Sequence, residues 1–115
     1  EQFDEVRDAI DNAPFADKYT FVKSSPWYYE LLPKNASKGE GLLQLADICG
    51  IDRKCTVAVG DNENDISMIK NAGTGIAVAN AVESVKSEAD YTTADNNSDA
   101  IATVIEAIEN GKISI

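Results

Sequence analysis

Apolar positions in this chain alternate between two periods, and the changes of period mark its elements. Residues 3–12 set Phe3, Val6 and Ile10 on one helical stripe, and Asn12-Ala13-Pro14 ends it. Two short runs follow, 19–23 and 28–32, split by Ser24-Ser25-Pro26 in the manner of a β-hairpin or an adjacent strand pair. Residues 33–36 form a hinge. Ser37-Lys38-Gly39-Glu40 has the spacing of a capping box, with Leu42, Leu45, Ala46 and Cys49 as the apolar stripe behind it and Gly50 as the stop.

From residue 55 the pattern becomes strand, helix, strand, helix. Residues 55–59 are almost continuously apolar, which predicts a parallel strand covered on both faces and ending at Gly60-Asp61. A helix over 63–72 carries Ile66 and Ile69 and stops at Gly73; a second strand spans 75–79, a short helix 82–88 and a third strand 90–93. Asn97 or Ser98 caps a last helix with Ile101, Val104, Ile105 and Ile108 at i, i+3, i+4, i+7. This alternation predicts an open α/β sheet with right-handed crossovers. Residues 1–32 stand outside it and read as part of another unit, which divides the chain into 1–32 and 33–115.

Composition narrows the chemistry. The 115 residues hold 20 acidic and 10 basic groups, a formal charge of -10, and the basic ones are scattered; nucleic acid and anionic membrane surfaces are set aside as partners. With no histidine, Ser-His-Asp and Cys-His catalysis and the usual zinc or haem ligation are excluded. Cys49 and Cys55 lack a CxxC spacing and read as buried, reduced thiols, and with no apolar run of membrane length and no signal peptide the expectation is a soluble cytoplasmic protein. The aromatic cluster Trp27-Tyr28-Tyr29 reads as packing, and the acids of 83–99 as solvated faces and caps.

The densest polar cluster, Gly60-Asp61-Asn62-Glu63-Asn64-Asp65, follows the most apolar strand, where ligands gather in open α/β sheets. Two readings stand: capping of the next helix, or oxygen ligands for a hard cation such as Mg²⁺. Lys38 occupies the first turn of its helix, where its charge opposes the dipole, with Gly39 and Gly41 beside it. A bound phosphate would offset both choices; a solvated lysine in a frayed first turn is the other reading.

Ser37-Lys38-Gly39-Glu40-Gly41-Leu42, the string Gly60 to Met68, Asn71-Ala72-Gly73, Asn80-Ala81 and Ala89-Asp90-Tyr91 together resemble the haloacid dehalogenase superfamily, specifically its Cof-type phosphatases with an α/β cap. The resemblance covers nearly the whole chain. It implies a partial Rossmann-like core over 33–115 preceded by the end of a cap, Mg²⁺ as cofactor and hydrolysis of small phosphomonoesters, plausibly sugar phosphates. By resemblance Lys38 screens the phosphoryl group as a catalytic and phosphate-binding residue, Asp61 binds Mg²⁺, Asn64 contacts substrate phosphate and Asp65 supports the metal site. The family's Asp-x-Asp nucleophile and its Ser or Thr phosphate ligand are missing from the sequence, so the chain is expected to hold half a site and to be inactive alone. Glu1 in place of Met and the small sheet agree with a part of a longer protein. Rival readings are a noncatalytic interaction module and, less favoured, a phospho-accepting receiver domain. The apolar strand over 55–59 would expose an edge, predicting a homodimer or a bound N-terminal fragment.

Overall fold

A computed structural model describes residues 2–115, with side chains from residue 4 onward. The first helix, α1 (Gln2–Asp11), follows the predicted stripe, with Val6 half exposed and Ile10 partly buried; the side chain of Phe3 lies outside the described residues. The strands β1 (Tyr19–Ser25) and β2 (Tyr28–Pro33) pair antiparallel, Tyr19 opposite Pro33 and Lys23 opposite Tyr29, with an irregular register between Lys23 and Ser25. Phe21 stacks on Tyr29 at 5.1 Å between ring centroids, and the Lys23 ammonium lies over the Tyr29 ring. The aromatic cluster is only partly packing. Trp27 is 78% and Tyr28 68% exposed, because the tight turn at Pro26-Trp27 leaves both side chains at the hairpin tip.

The helix α2 (Lys38–Cys49) begins at Ser37, whose hydroxyl accepts from the Glu40 amide at 3.1 Å, so the Ser37 half of the expected capping box forms. Gly50 ends it in the left-handed region (φ 66°), which a side chain would disfavour. Of the expected stripe Leu42 and Ala46 turn inward, whereas Leu45 and Cys49 are exposed together with Ile48. The inward face is narrow because α2 meets its neighbour at Gly39: a Cβ there would lie 2.4 Å from the Ser67 carbonyl oxygen. Both cysteines are free thiols on the surface, which corrects the expectation of buried ones.

The sheet is parallel, in the order β3-β4-β5, built from β3 (Val57–Gly60), β4 (Thr74–Ala77) and β5 (Tyr91–Thr92). Between them run α3 (Ile66–Asn71) and the single-turn α4 (Glu83–Lys86), and α5 (Ala100–Glu109) closes the chain. The central β4 is buried at every residue, and Ile76 is fully enclosed. One core cluster joins Ala58, Ile69, Ala77, Val78 and Val85; a second sets Ile76 against Val104 and Ile113. Among the described residues β3 pairs with β4 alone, so Val57 and Val59 are only partly buried and its outer edge is open.

The last helix departs from expectation at its start. Its N-cap is Asp99, in the left-handed region at φ 51°. Asn97 and Ser98 belong instead to a turn closed on Asp95, whose Oδ1 accepts from the Asn97 amide at 2.9 Å and from the Ser98 hydroxyl at 2.8 Å. Ala100 and Val104 face inward, while Ile101 and Ile105 are more than half exposed.

Candidate active site at the end of the first parallel strand

Asp65 organises the site. It stands one turn after the end of β3 and is 5% exposed, and its two carboxylate oxygens face different partners. Oδ1 accepts from the Lys38 ammonium in a short ion pair; Oδ2 accepts from the backbone amides of Asp61 at 3.0 Å and Asn62 at 3.3 Å. Burial alone would raise the Asp65 carboxyl, but the Lys38 ammonium and the two amides outweigh it and hold the group below the ordinary carboxylate value. The sequence permits this tight loop because residue 60 is glycine: a Cβ there would lie 2.5 Å from the Asp65 Cβ. Asn62 completes the turn: its Oδ1 accepts from the Glu63 amide at 2.9 Å, and a capping box forms in which its side chain accepts from the Asp65 amide while the Asp65 carboxylate accepts from the Asn62 amide.

Lys38 reaches this point from 27 residues away because α2 lies close against α3. The Gly39 amide donates to the Ser67 hydroxyl at 3.1 Å, which fixes the first turn of α2. Gly39 therefore serves helix packing, whereas Gly41 has open space where a Cβ would stand. The charge of Lys38, unfavourable at a helix N-terminus, is offset by Asp65.

Lys38, Asp61 and Asp65 border one cleft of about 730 Å³, whose walls include Val59, Met68 and Ile101. Asn64 does not line it; it lines an adjoining groove of about 530 Å³ between the hairpin and α3, and Lys38 borders both spaces. Asn96, Asn97 and Asp99 also face the cleft; Asp99 is exposed and stands at the N-cap of α5, as the reading of the acids of 83–99 as solvated faces and caps has it, but none of the three was singled out as a site residue. The one available signal was that their loop follows β5, at the same sheet edge as residue 61.

The donors fit a hard cation in kind. They are oxygens, and nothing among the described residues hydrogen-bonds to the Asp61 carboxylate, whereas both Asp65 oxygens are engaged. They do not form a full cage: no group of three or more His, Cys, Asp or Glu among the described residues could hold a metal ion. One carboxylate with water and phosphate oxygens is nevertheless a usual Mg²⁺ arrangement. No helix of the described residues is long and apolar enough to cross a membrane.

Known proteins share this arrangement of elements. Residues 1–105 match the haloacid dehalogenase-like hydrolase family. A putative phosphatase of Bacillus subtilis (strain 168) is 42% identical over 92 residues, 80% of this chain and 34% of that protein. Among solved structures, a haloacid dehalogenase-like hydrolase from B. subtilis superposes with a TM-score of 0.82 at 35% identity, over 91% of this chain and 37% of the other. A sugar phosphatase of subclass IIB of the superfamily superposes with a TM-score of 0.81 at 29% identity, over 96% of this chain and 40% of the other. The chain thus spans about a third of the length of the curated relatives it matches. Its sheet, its helices and the loop from Gly60 to Asp65 make it a member of the haloacid dehalogenase-like hydrolase family.

Proposed function

We propose that this chain supplies the lysine-bearing and metal-facing half of a phosphomonoester hydrolase, the attacking carboxylate coming from a segment outside this sequence. The observation that carries the reading is the meeting of Lys38 and the Asp61 loop on a single buried carboxylate. In this reading Lys38 screens the charge of the phosphoryl group and of the phosphoaspartate formed on the outside carboxylate. Its ammonium has three donors, and Asp65 takes one. Asp61 is the ligand this chain offers to Mg²⁺, which when bound supplies electrostatic stabilisation of phosphate oxygens. Asp65 supports the metal site by holding the Asp61 backbone and Lys38 in place, each of its oxygens being already engaged. Asn64, at the adjoining groove, orients the phosphate from that side.

Residues 1–32 then belong to a cap and 33–115 to the catalytic core, with the leaving group in the groove between hairpin and α3. Small phosphorylated metabolites suit that volume, and the sugar phosphatase among the structural relatives favours sugar phosphates. The chain alone is expected to show no appreciable turnover of a chromogenic phosphomonoester. Mg²⁺ titration followed by amide shifts should move residues 60–65 weakly, and Asp61→Asn should abolish the movement. Robust Mg²⁺-dependent turnover by the chain alone, or shifts that survive Asp61→Asn, would overturn the assignment.

A further inference from the structure

Asn62 makes two contacts of different kinds from one short side chain. Its Oδ1 accepts from the Glu63 amide at 2.9 Å, capping the turn that carries Asp65, and its Nδ2 donates to the Ser24 carbonyl of β1 at 3.1 Å. The second bond spans 38 residues and is part-buried. It joins the hairpin to the loop that ends the first parallel strand.

Apart from where β1 packs against the turn at residues 63–65, the hairpin stands off the core. The groove of about 530 Å³ separates them, with Thr20, Val22 and Leu32 on one side and Asn64, Ile66 and Ser67 on the other. Thr20 pairs with Leu32 and Val22 with Glu30, so these side chains share the hairpin face that looks into the groove. The hairpin is therefore held near its two ends, by the chain linkage through residues 34–37 and by Asn62 near the tip. A strip held at one end pivots; held at both, it keeps one orientation.

We propose that Asn62 is a positioning residue: a clasp whose amide fixes the hairpin over the groove while its carbonyl oxygen fixes the loop that carries Asp61. Hairpin orientation and loop conformation are then set by one side chain, and a change in either is felt by the other. The functional weight of the clasp rests on the reading of the Asp61 loop given above, but its existence does not. Losing it shifts the docked-to-undocked ratio of the hairpin by the worth of one neutral hydrogen bond, roughly fivefold.

Asn62→Ser separates the two contacts. Serine is as good an N-cap but is too short to reach the Ser24 carbonyl. Residual dipolar couplings on the 115-residue chain are the readout, with backbone amides of residues 19–33 compared against those of 57–77. In the parent chain both sets should fit one alignment tensor. In Asn62→Ser the hairpin couplings should shrink or need a second tensor while amide exchange at 61–65 stays as in the parent. In Asn62→Ala the hairpin couplings should shrink in the same way and exchange at 61–65 should rise as well. A parent chain that already needs two tensors, or an Asn62→Ser chain that keeps one tensor with undiminished hairpin couplings, overturns the proposal. The test uses no substrate and no metal, so its failure is distinct from failure of the phosphatase reading.

Discussion

Replacing Asp65 by asparagine keeps the shape of the side chain and removes what its three donors require. The carboxylate accepts from the Lys38 ammonium and from two backbone amides, and it is nearly enclosed. Asparagine offers one oxygen. If that oxygen keeps the two amides, the new NH₂ group faces the Lys38 ammonium, donor against donor; if it turns to Lys38, two amides lose their acceptor. A charge-assisted bond is worth about 1.5–3 kcal/mol and an orphaned buried donor costs about 1–3 kcal/mol. The Lys38 side chain is half exposed and can recover water, which holds the total to about 2–3 kcal/mol. With a urea slope of about 1.5 kcal/mol/M, the midpoint should fall by about 1.3–2 M. Lys38→Met should cost less, about 1 kcal/mol, because Asp65 keeps its two amides. The pH dependence has a definite sign. The folded carboxyl is held below its unfolded value, so its contribution is complete above about pH 4, the unfolded value, and is lost as pH falls through the lower folded value. Urea unfolding at pH 7 and again at pH 3 checks this: the gap between parent and Asp65→Asn should narrow at the lower pH. A variant with the parent midpoint at pH 7, or Lys38→Met costing more than Asp65→Asn, would refute the reasoning.

The glycines give a paired test. Gly39→Ala should destabilise by about 1–3 kcal/mol, since its methyl meets the Ser67 carbonyl, whereas Gly41→Ala two residues on should stabilise by about 0.5–1 kcal/mol; denaturant midpoints separate them, and equal signs would count against the helix packing described. Gly60→Ala pushes on the Asp65 Cβ and should cost about 1–3 kcal/mol while shifting the Lys38 and Asp61 resonances in a two-dimensional NMR spectrum; unchanged resonances would mean that the loop yields without moving Asp65. The open edge of β3, with exposed Ile101 and Ile105 on α5, leads us to propose association as a homodimer or with a fragment laid along that edge. Light scattering at micromolar concentration should report more than a monomer, and a monodisperse monomer with protected amides at 57–60 would count against it.

How much of this was legible depended on whether a signal was local. The hairpin was, because alternation and the Ser-Ser-Pro break lie within fifteen residues. So were the parallel strands, each a short apolar run beside a glycine or an acid. The inner face of α2 was not. Leu42, Leu43 and Ala46 point one way and Leu45, Ile48 and Cys49 another, so the helix is apolar on two sides and periodicity cannot choose. The start of α5 was hidden for another reason: three candidate caps in a row compete, and Asp95 captured two of them. In the site, the loop from Gly60 to Asp65 was visible as a cluster, but the role of Asp65 as the meeting point depends on Lys38, 27 residues away. Gly39 looked like an opening for phosphate because glycine permits close approach, and what approaches is α3.

That last substitution of partners changes how the candidate site should be understood. A lysine at a helix N-terminus beside two glycines needs a compensating anion, and a phosphate was the natural candidate from sequence. The anion is already within the chain. Asp65 neutralises Lys38, caps its own turn and ties down the Asp61 amide, so the three groups are held in register by folding rather than by ligand binding. In the proposed reading a phosphate arriving in the cleft need not order Lys38; it meets an ammonium with donors to spare and, beside it, the Asp61 carboxylate, to which nothing among the described residues hydrogen-bonds. The cost of organising the candidate site falls on Asp65, whose removal should therefore be felt in stability at least as strongly as in any binding measurement.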